Sequence, residues 1–483
     1  MRLTDHDASF LYSETASSPM HGATISVLEG ESSFAAIFAH LEARIHLVPR
    51  YRQRLAFVPM NLAHAKWVDD PDFDLANHVK RYELSSGAAT VEDAFDEILE
   101  LAERVLDRSR SLWLMYVVEG IPDRTLLVSL AHHAMIDGVS SVDISTVLMG
   151  LEPDALPPGP PNELWEPKPL PSPVELWTEA LQHNFAEMMQ TVRVRPRDAQ
   201  RERLLQRGTE IMTRFMTQPV ITAPWNAGVV GPKRRLEITQ YNFAEFREIR
   251  RSSGGTINDV VLAVVTESAA RYLTAHGEPV EHAYLRILCP VSVRREDETG
   301  ALGNRVSAMY PTLPAWVMNM SERFTTVIEE TERLKANREP QALELLMESS
   351  PYVPPVAMAQ TFLVGSPFDP TGMAARFPPP VVPSFGARPP LTGFNFTCTN
   401  VPGVQVPLYI SGHKVLDTYA TLMLGGNLGY GVVAASYDQR LYFNFTSDPR
   451  LMPDVELMRS GVEEAFAELL DLARTQTVGQ ANA

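Results

Sequence analysis

A proline-rich run is the feature that most restricts how this chain can fold. The stretch PDALPPGPPNELWEPKPLPSP occupies residues 153–173. Proline fixes its own φ angle and has no backbone N–H, so such a run fits neither a helix interior nor a central strand. It indicates a stiff linker. With 483 residues, the chain is also longer than one hydrophobic core normally serves. We therefore expect a subdomain on each side of the linker.

Helical and strand patterns occur on both sides of this run. The helical patterns are Ala36–Ile45, Val91–Leu106, Pro173–Gln218 with a break near Pro196, Asp259–Leu273 with Thr256 or Asn258 as its cap, and Leu451–Arg474. The strand patterns are Thr125–Ala131, Leu285–Val293 and Arg440–Phe445. This mixture predicts α/β or α+β layering in each half. The predicted units are 1–152, a proline-rich and helical linker at 153–235, and 236–483. A second proline-rich insert, Phe377–Pro390, is predicted to be a surface loop.

Charge and cysteine content exclude several classes of protein. The formal net charge is −17, which opposes a broad nucleic-acid surface because phosphate binding needs clustered positive charge. Two cysteines, Cys289 and Cys398, do not make a secreted disulfide framework and are read as core thiols. The start of the chain has no signal-peptide layout, and the apolar runs are shorter than the ~20 residues a spanning helix needs. We expect a cytoplasmic protein, and we expect any membrane contact to be peripheral, on the inner membrane face or on lipid droplets.

The segment AHHAMIDG, residues 131–138, carries the strongest chemical signal. It follows the predicted strand TLLVSLA and precedes a helical stretch, so two histidines stand where a strand ends, a common position for functional groups. Imidazole suits removal of an alcohol proton near neutral pH, because its ordinary pKa is ~6.5. The alternative interpretation is a histidine pair in an ordinary turn, with Asp137 and Gly138 serving only as turn residues.

Further blocks occur together with this motif in one order along nearly the whole chain. They are LTDHDASFLYSETASSPMH near the start, LDRSRSLWLMYVVEG (Leu106–Gly120), GGTINDVVLAVV (Gly254–Val265), PVSVR (Pro290–Arg294), GN (Gly303–Asn304) and NVPG with PLYISG (Asn400–Gly412). Together they resemble the bacterial wax ester synthase/diacylglycerol acyltransferase family, within the CoA-dependent acyltransferase superfamily that has the HHxxxDG motif. Ser111 departs from the family pattern by standing where its PLW segment has proline, and Val404 replaces the usual proline after NVPG.

This resemblance implies two chloramphenicol-acetyltransferase-like subdomains joined by a helical linker, with the active site between them. The implied reaction moves a fatty acyl group from acyl-CoA, a co-substrate, to a long-chain alcohol or diacylglycerol, with no cofactor and no metal. Two other interpretations remain open. One is a related acyltransferase for a polyketide or a special lipid acceptor. The other is a non-catalytic acyl-binding or lipid-droplet protein, against which the intact motif argues.

The resemblance also implies roles for individual residues. His133 would be the general base and His132 would support the loop geometry. Asp137 would be a structural partner, to Arg294 or Arg305. Asn258 would donate a hydrogen bond to the developing oxyanion, with helix capping as its alternative role. The residues expected to bind substrate are Gly138, Trp113 and Asp259; for Trp113, lining an acyl tunnel competes with plain core packing.

Two remaining patterns need an interpretation. Between Arg193 and Met216, seven arginines accompany apolar residues at helical spacing. Such a basic amphipathic helix fits a membrane interface, or alternatively a clasp between the two subdomains with a solvated charged face. GYGVVA (Gly429–Ala434) formally fits a dinucleotide fingerprint, but a strand-like stretch follows it instead of a helix, which argues against that use.

Overall fold

The computed structural model describes residues 1–136, 138–159, 165–192, 198–218, 220–292, 306–349 and 393–481. Within them, strands form two large sheets and a small antiparallel pair, β2 (Gln53–Ala56) with β3 (Lys66–Asp69). Both large sheets contain parallel and antiparallel neighbours, and helices accompany each of them. The predicted α/β class with mixed sheets is confirmed.

The first sheet holds the strand that ends in the two histidines. In spatial order its described strands are β12 (Tyr409–Ile410), β13 (His413–Ala420), β1 (His21–Glu29), β6 (Arg124–His132), β5 (Trp113–Ile121) and β4 (Val79–Glu83). Strand β6 pairs antiparallel with β1 along its whole length, so His132 lies opposite His21. Because β12 and β13 come from the late part of the chain, the first sheet takes strands from both sides of the linker.

The second sheet lies within the residues that follow the linker helices. In spatial order its described strands are β10 (Thr312–Pro314), β8 (Tyr284–Ser292), β11 (Phe396–Val401), β14 (Tyr430–Tyr437), β15 (Arg440–Ser447) and β7 (Arg235–Asn242), and β9 (Val306–Met309) pairs with β8. GYGVVA lies at the start of β14, so no helix follows it in the manner of a dinucleotide-binding turn. Each large sheet has its own cluster of buried apolar side chains.

The described helices pack around these sheets. They are α1 (Asp5–Ser13), α2 (Phe34–Glu42), α3 (Phe95–Glu100), α4 (Gly138–Leu148), α5 (Pro173–Val192), α6 (Ala199–Thr217), α7 (Phe243–Ser253), α8 (Ile257–Ala275), α9 (Met320–Ala336), α10 (Glu339–Ser349) and α11 (Glu456–Ala481). In the part of the chain that the structure describes, no helix is both long and apolar enough to cross a membrane.

Two predicted helices differ from the structure at their ends. The predicted helix Val91–Leu106 is too long, because the chain has only a short helical turn followed by α3, which ends at Glu100. Beyond Glu100 the backbone hydrogen bonds span three residues instead of four, as in the bond from the Leu101 amide to the Ile98 carbonyl. The Ala102 carbonyl is bound by the His21 side chain. The last helix begins at Glu456 and not at Leu451.

The two linker helices dock on different parts of the molecule. Helix α5 contacts the first half: Asn184 Nδ2 donates to the Leu62 carbonyl at 2.7 Å, and Ala180 packs on Val58 and Ala63. Helix α6 contacts α10, where Arg214 binds the Glu339 carboxylate at 2.8 Å. Helices α6 and α10 approach closely at Gly208 of α6, where an added Cβ would lie 2.7 Å from the Ala342 carbonyl oxygen of α10.

Candidate active site

The two histidines stand at the end of β6, on a turn fixed by backbone hydrogen bonds. The His132 amide donates to the Leu112 carbonyl at 3.0 Å, and the His133 amide donates to the Met20 carbonyl at 2.9 Å. The Met135 amide then donates back to the His132 carbonyl at 2.8 Å. The turn is therefore held on one side by the residue that precedes β5 and on the other by the residue that precedes β1, which restricts the directions of the histidine side chains.

His132 is enclosed and points into the protein. Its side chain has no solvent exposure, and its Nδ1 accepts a hydrogen bond from the Ala134 amide at 3.0 Å. A ring nitrogen that accepts carries no proton, so Nε2 is the protonated nitrogen. That nitrogen lies 3.4 Å from Glu14 Oε1. This geometry suits a residue that holds the loop; that His132 has this role stays a prediction.

Glu14, which no sequence pattern singled out, is the acidic group beneath the loop. It follows the last residue of α1, and its side chain is fully buried. Its carboxylate accepts from the Met20 amide at 3.0 Å and from Arg108 Nη2 at 2.8 Å. Burial alone would raise the pKa of Glu14, but the His132 ring, the Arg108 guanidinium and the Met20 amide hold that pKa well below its usual range. Glu14 is therefore a buried anion that joins α1 to the histidine turn.

His21 completes the polar group under the turn. It lies opposite His132 on the neighbouring strand, and its Nε2 lies 2.9 Å from the Ala102 carbonyl, which makes Nε2 the donor. Burial lowers the pKa of His21 to about 4, although the charge of Glu14 acts in the opposite direction. A buried neutral imidazole results near neutral pH.

His133, in contrast to His132, is half-buried. Its ring stacks on Phe10 of α1, with ring centroids 4.8 Å apart and an angle of 29° between the planes. The aromatic contact fixes the orientation of the ring, while its partial exposure leaves room for a reacting group to approach. An imidazole held in this way can take a proton from a hydroxyl and return it.

Trp113 lies beside the histidine strand but is used in packing. In the sheet register it is opposite Ala131, and it is 2% exposed. Its Nε1 donates to the Tyr51 carbonyl at 2.9 Å, and its ring is stacked against Tyr51 and His78. These are the contacts of a core residue that supports β6; that Trp113 also lines an acyl tunnel stays a prediction.

Asn258 and Asp259 lie elsewhere, at the start of α8. Thr256 caps this helix in a reciprocal capping box with Asp259, so the alternative role of Asn258 as the cap is wrong. The Asp259 carboxylate accepts from Thr256 through one oxygen and from Thr331 Oγ1 at 2.7 Å through the other. Asn258 is half-buried as the second residue of the helix. Its oxyanion role, like substrate binding by Asp259, stays a prediction.

Several predicted site features cannot be compared with the structure. Asp137, its proposed partners Arg294 and Arg305, and the insert Phe377–Pro390 lie outside the described residues, and Gly138 is described only as the first residue of α4. Among the residues that are described, no three His, Cys, Asp or Glu side chains are grouped as metal ligands. Cys289 and Cys398 are buried thiols.

Comparison with known proteins places these features in one family. Residues 3–261 match the family described as the wax ester synthase/diacylglycerol acyltransferase catalytic domain, and residues 302–470 match the WS/DGAT C-terminal domain. A probable diacylglycerol O-acyltransferase of Mycobacterium tuberculosis is 30% identical over 500 residues, covering 99% of this chain and 97% of that protein. A putative diacylglycerol O-acyltransferase of the same organism is 28% identical over 488 residues, covering 99% of this chain and 92% of its own.

Solved structures share the fold. A wax ester synthase/diacylglycerol acyltransferase from Marinobacter aquaeolei matches with a TM-score of 0.64 at 20% identity, covering 98% of this chain and all 100% of that one. The starter condensation domain of rhizomide synthetase, in complex with C8-CoA and Leu-SNAC, matches with a TM-score of 0.58 at 15% identity, covering 98% and 94%. The chloramphenicol-acetyltransferase-like fold with two subdomains, predicted from the sequence, is thereby confirmed.

Proposed function

The chain belongs to the wax ester synthase/diacylglycerol acyltransferase family, and from this premise we propose that it esterifies diacylglycerol or a long-chain alcohol with the acyl group of acyl-CoA. The observation that carries the proposal is the contrast between the two histidines. His132 is buried against Glu14, whereas His133 is half-buried and oriented by Phe10. A site in which a buried imidazole supports the loop and a second, partly exposed imidazole can reach the substrate is suited to proton transfer.

In the proposed mechanism His133 acts as the general base. Its unprotonated ring nitrogen takes the hydroxyl proton of the acceptor as the alcohol oxygen attacks the thioester carbonyl. The tetrahedral intermediate then collapses, the carbon–sulfur bond breaks, and the proton on His133 passes to the leaving CoA thiolate. The products are an ester and free CoA, and the histidine returns to its starting state without a covalent enzyme intermediate.

Other residues of the chain are assigned to support these steps. Glu14 and His132 position the turn from which His133 projects, so we call them positioning residues. Asn258 is proposed to donate its side-chain N–H to the oxygen that becomes negative in the intermediate, where a well-placed donor is most effective. The thiols Cys289 and Cys398 have no part in it, since burial raises the pKa of both and keeps them protonated.

For the acceptor, the names of the relatives favour diacylglycerol. Both mycobacterial relatives described above are named diacylglycerol O-acyltransferases. The Marinobacter protein, whose name includes both activities, shares too little sequence to distinguish between the acceptors. We therefore rank diacylglycerol above fatty alcohol.

The test is to mix purified protein with palmitoyl-CoA and either dioleoylglycerol or hexadecanol. Free CoA thiol is followed over time and the lipid products are identified by mass spectrometry. We expect thiol release that depends on acceptor, with triacylglycerol as the larger product, and loss of both signals in His133→Ala. Thiol release at the same rate without acceptor would identify a thioesterase, and acyl-CoA binding without any release would identify a non-catalytic binder.

A further inference from the structure

Helix α5 carries a continuous apolar stripe on its outer surface. Five of its residues, at intervals of three or four, are exposed to solvent: Val174 (73%), Trp177 (42%), Leu181 (43%), Phe185 (62%) and Met189 (45%). Residues at this spacing lie on one side of a helix. We call these five residues the α5 stripe. A soluble protein rarely exposes an apolar surface of this extent unless it contacts a partner.

The adjacent side of the helix, one residue or about 100° around the axis from the α5 stripe, packs on the protein. Leu176 and Ala180 are buried, and Asn184 binds the Leu62 carbonyl at 2.7 Å. The Glu179 carboxylate is paired with Lys66 Nζ at 2.8 Å. These contacts fix the rotation of α5 about its axis and leave the α5 stripe exposed.

The size of the α5 stripe argues against a second copy of the chain as its partner. Whole aromatic side chains bury about 150–250 Å² each, so the exposed parts of the five residues amount to roughly 500 Å². A stable dimer needs roughly 800 Å² from each partner, packed against a complementary surface. A lipid surface has no such requirement, because acyl chains adapt to a convex row of side chains.

The chemistry of the α5 stripe also fits lipid. It contains no charged residue and combines a tryptophan and a phenylalanine with aliphatic side chains, as helices that lie in a membrane interface do. Its lack of charge matters in a protein with a net charge of −17, since an anionic surface would repel the molecule as a whole. A zwitterionic phospholipid surface imposes no such repulsion.

The α5 stripe is also close in the fold to the candidate active site. Asn184 of α5 holds the loop at Leu62, and two residues later His64 binds Asp5, at the start of α1, with 2.7 Å between Nε2 and Oδ1. Helix α1 continues from Asp5 to Phe10, which stacks on His133. A surface held by α5 would thus lie near the helix that forms one wall of the site.

We propose that the α5 stripe docks the protein on a zwitterionic phospholipid surface, with its side chains inserted among the acyl chains. The proposal rests on the proposed function, because a lipid acceptor is the reason for the enzyme to reach such a surface. It assigns the contact to α5 and not to the basic helix α6. Part of the apolar side of α6 is covered, since Leu204 and Ile211 pack against Ala342 and Leu343 of α10; that the segment clasps the two subdomains stays a prediction.

The experiment compares two double variants that remove equal apolar surface. Leu181→Gln with Met189→Gln changes the α5 stripe. The control, Leu457→Gln with Met212→Gln, changes a leucine and a methionine of nearly equal exposure, 42% and 43%, on α11 and α6. Cosedimentation with phosphatidylcholine vesicles is measured at low and high salt, after thermal melts confirm that both variants are folded. Trp177 gives a local readout, since its fluorescence shifts to shorter wavelength on entering lipid.

We expect wild type and the control to bind alike, and the stripe variant to bind at least ~10-fold more weakly, because each removed apolar contact favours the aqueous state. Salt should have little effect on this binding, and Trp177→Phe should remove most of the fluorescence shift. Equal binding of the stripe variant and the control would overturn the proposal. So would binding that is lost in Arg201→Gln/Arg203→Gln/Arg207→Gln but kept in the stripe variant.

Two further measurements separate the remaining outcomes. Sedimentation velocity without lipid tests the second copy: a wild-type dimer that becomes monomeric in the stripe variant would mean that α5 is a protein interface, and the lipid proposal would fall. Thiol release from hexanoyl-CoA with a short, soluble alcohol needs no lipid surface, so the stripe variant should match wild type there. If wild type releases no thiol with any acceptor yet still binds vesicles through α5, the proposed function is wrong, and the proposal that the α5 stripe binds phospholipid is supported.

Discussion

The Glu14 carboxylate lies 3.4 Å from the ring of His132, measured from Oε1 to Nε2, and neither side chain is exposed to solvent. Arg108 binds the other oxygen of the same carboxylate and also the Leu11 carbonyl of α1. The first histidine of the motif is thus connected through one buried anion to the end of α1, and α1 carries Phe10, which contacts the second histidine. Both histidines depend on the same short helix for their orientation.

Replacing Glu14 with Gln should destabilise the fold. The change leaves Arg108 without its charged partner in a nearly buried position, which costs roughly 3–5 kcal/mol. It should also change how the free energy of unfolding depends on pH in the acid range. Because the folded-state pKa of Glu14 is held low, the carboxylate stabilises the fold above its unfolded pKa of ~4.3, and this contribution is lost as the pH falls below that value. Urea unfolding at several pH values checks both points. If the free energy of unfolding of Glu14→Gln fell with decreasing pH as steeply as that of wild type, Glu14 would not be the stabilising carboxylate.

His21 should make stability depend on pH in a higher range. Burial lowers the folded-state pKa of His21 to about 4, below its ordinary value of ~6.5, so the unfolded chain binds a proton in this interval and the folded chain does not. Stability is therefore complete above the unfolded pKa and falls as the pH drops toward the folded one, by on the order of 3 kcal/mol. His21→Gln keeps a donor for the Ala102 carbonyl and cannot titrate. Its free energy of unfolding should change less than that of wild type over this interval.

His133→Ala should abolish most catalysis without unfolding the protein. A positioned general base contributes about 10²–10⁴-fold in rate, or ~3–5 kcal/mol of barrier. The ring is half-buried and stacks on Phe10, so the melting temperature should change little. The rate of thiol release and a thermal melt on the same preparation test this, with His46→Ala, a change at another partly exposed histidine, as the control for nonspecific loss. A folded His133→Ala protein with wild-type rates would exclude the mechanism.

Local patterns predicted the elements that carry the motif. A continuous apolar run indicated β6, and the position of His132 and His133 at a strand end followed from that run. The spacing of apolar residues indicated α8. Long-range pairing was beyond such patterns. Nothing near Glu14 in the sequence indicates that it meets His132, because that contact exists only once β1 has paired with β6.

The membership of the first sheet shows the same limit. Strand β13 pairs with β1, but its sequence does not say that its partner is β1 instead of a neighbour in the late part of the chain. The end of α3 is another example. Apolar spacing continued to Leu106, yet the Ala102 carbonyl is bound by a histidine from a different strand. In both cases a tertiary contact, absent from the local sequence, determined the result.

Ser111 gives a prediction of increased stability. It stands where the family pattern has proline, it is 3% exposed, and its hydroxyl has no hydrogen-bond partner among the described residues. A buried, unsatisfied hydroxyl is unfavourable, so Ser111→Ala should raise the free energy of unfolding by about 1 kcal/mol. Ser268 is the matched control: it is 1% exposed and donates to the Met458 carbonyl at 2.7 Å. Ser268→Ala should lower stability, and a loss of stability in both variants would contradict the interpretation of Ser111.

Asn258 and Asp259, neighbours at the start of α8, should respond to substitution in opposite ways. Asp259 is 2% exposed, and its oxygens bind Thr256 and Thr331. Asp259→Ala removes the capping box and the hydrogen bond from the buried Thr331 hydroxyl, which costs roughly 1–3 kcal/mol of stability. Asn258 has no part in the cap, which belongs to Thr256. Asn258→Ala should therefore leave the melting temperature nearly unchanged.

The effect of Asn258→Ala on turnover tests its proposed catalytic role. Loss of one oxyanion donor lowers kcat by ~10²–10³ with little effect on substrate binding, because the hydrogen bond forms only as the charge develops. Steady-state kinetics with palmitoyl-CoA and dioleoylglycerol separate kcat from KM. Asp259→Asn keeps one acceptor oxygen for the cap and should preserve kcat in the folded fraction. If Asn258→Ala instead raises KM with kcat unchanged, Asn258 binds substrate and another donor must stabilise the oxyanion.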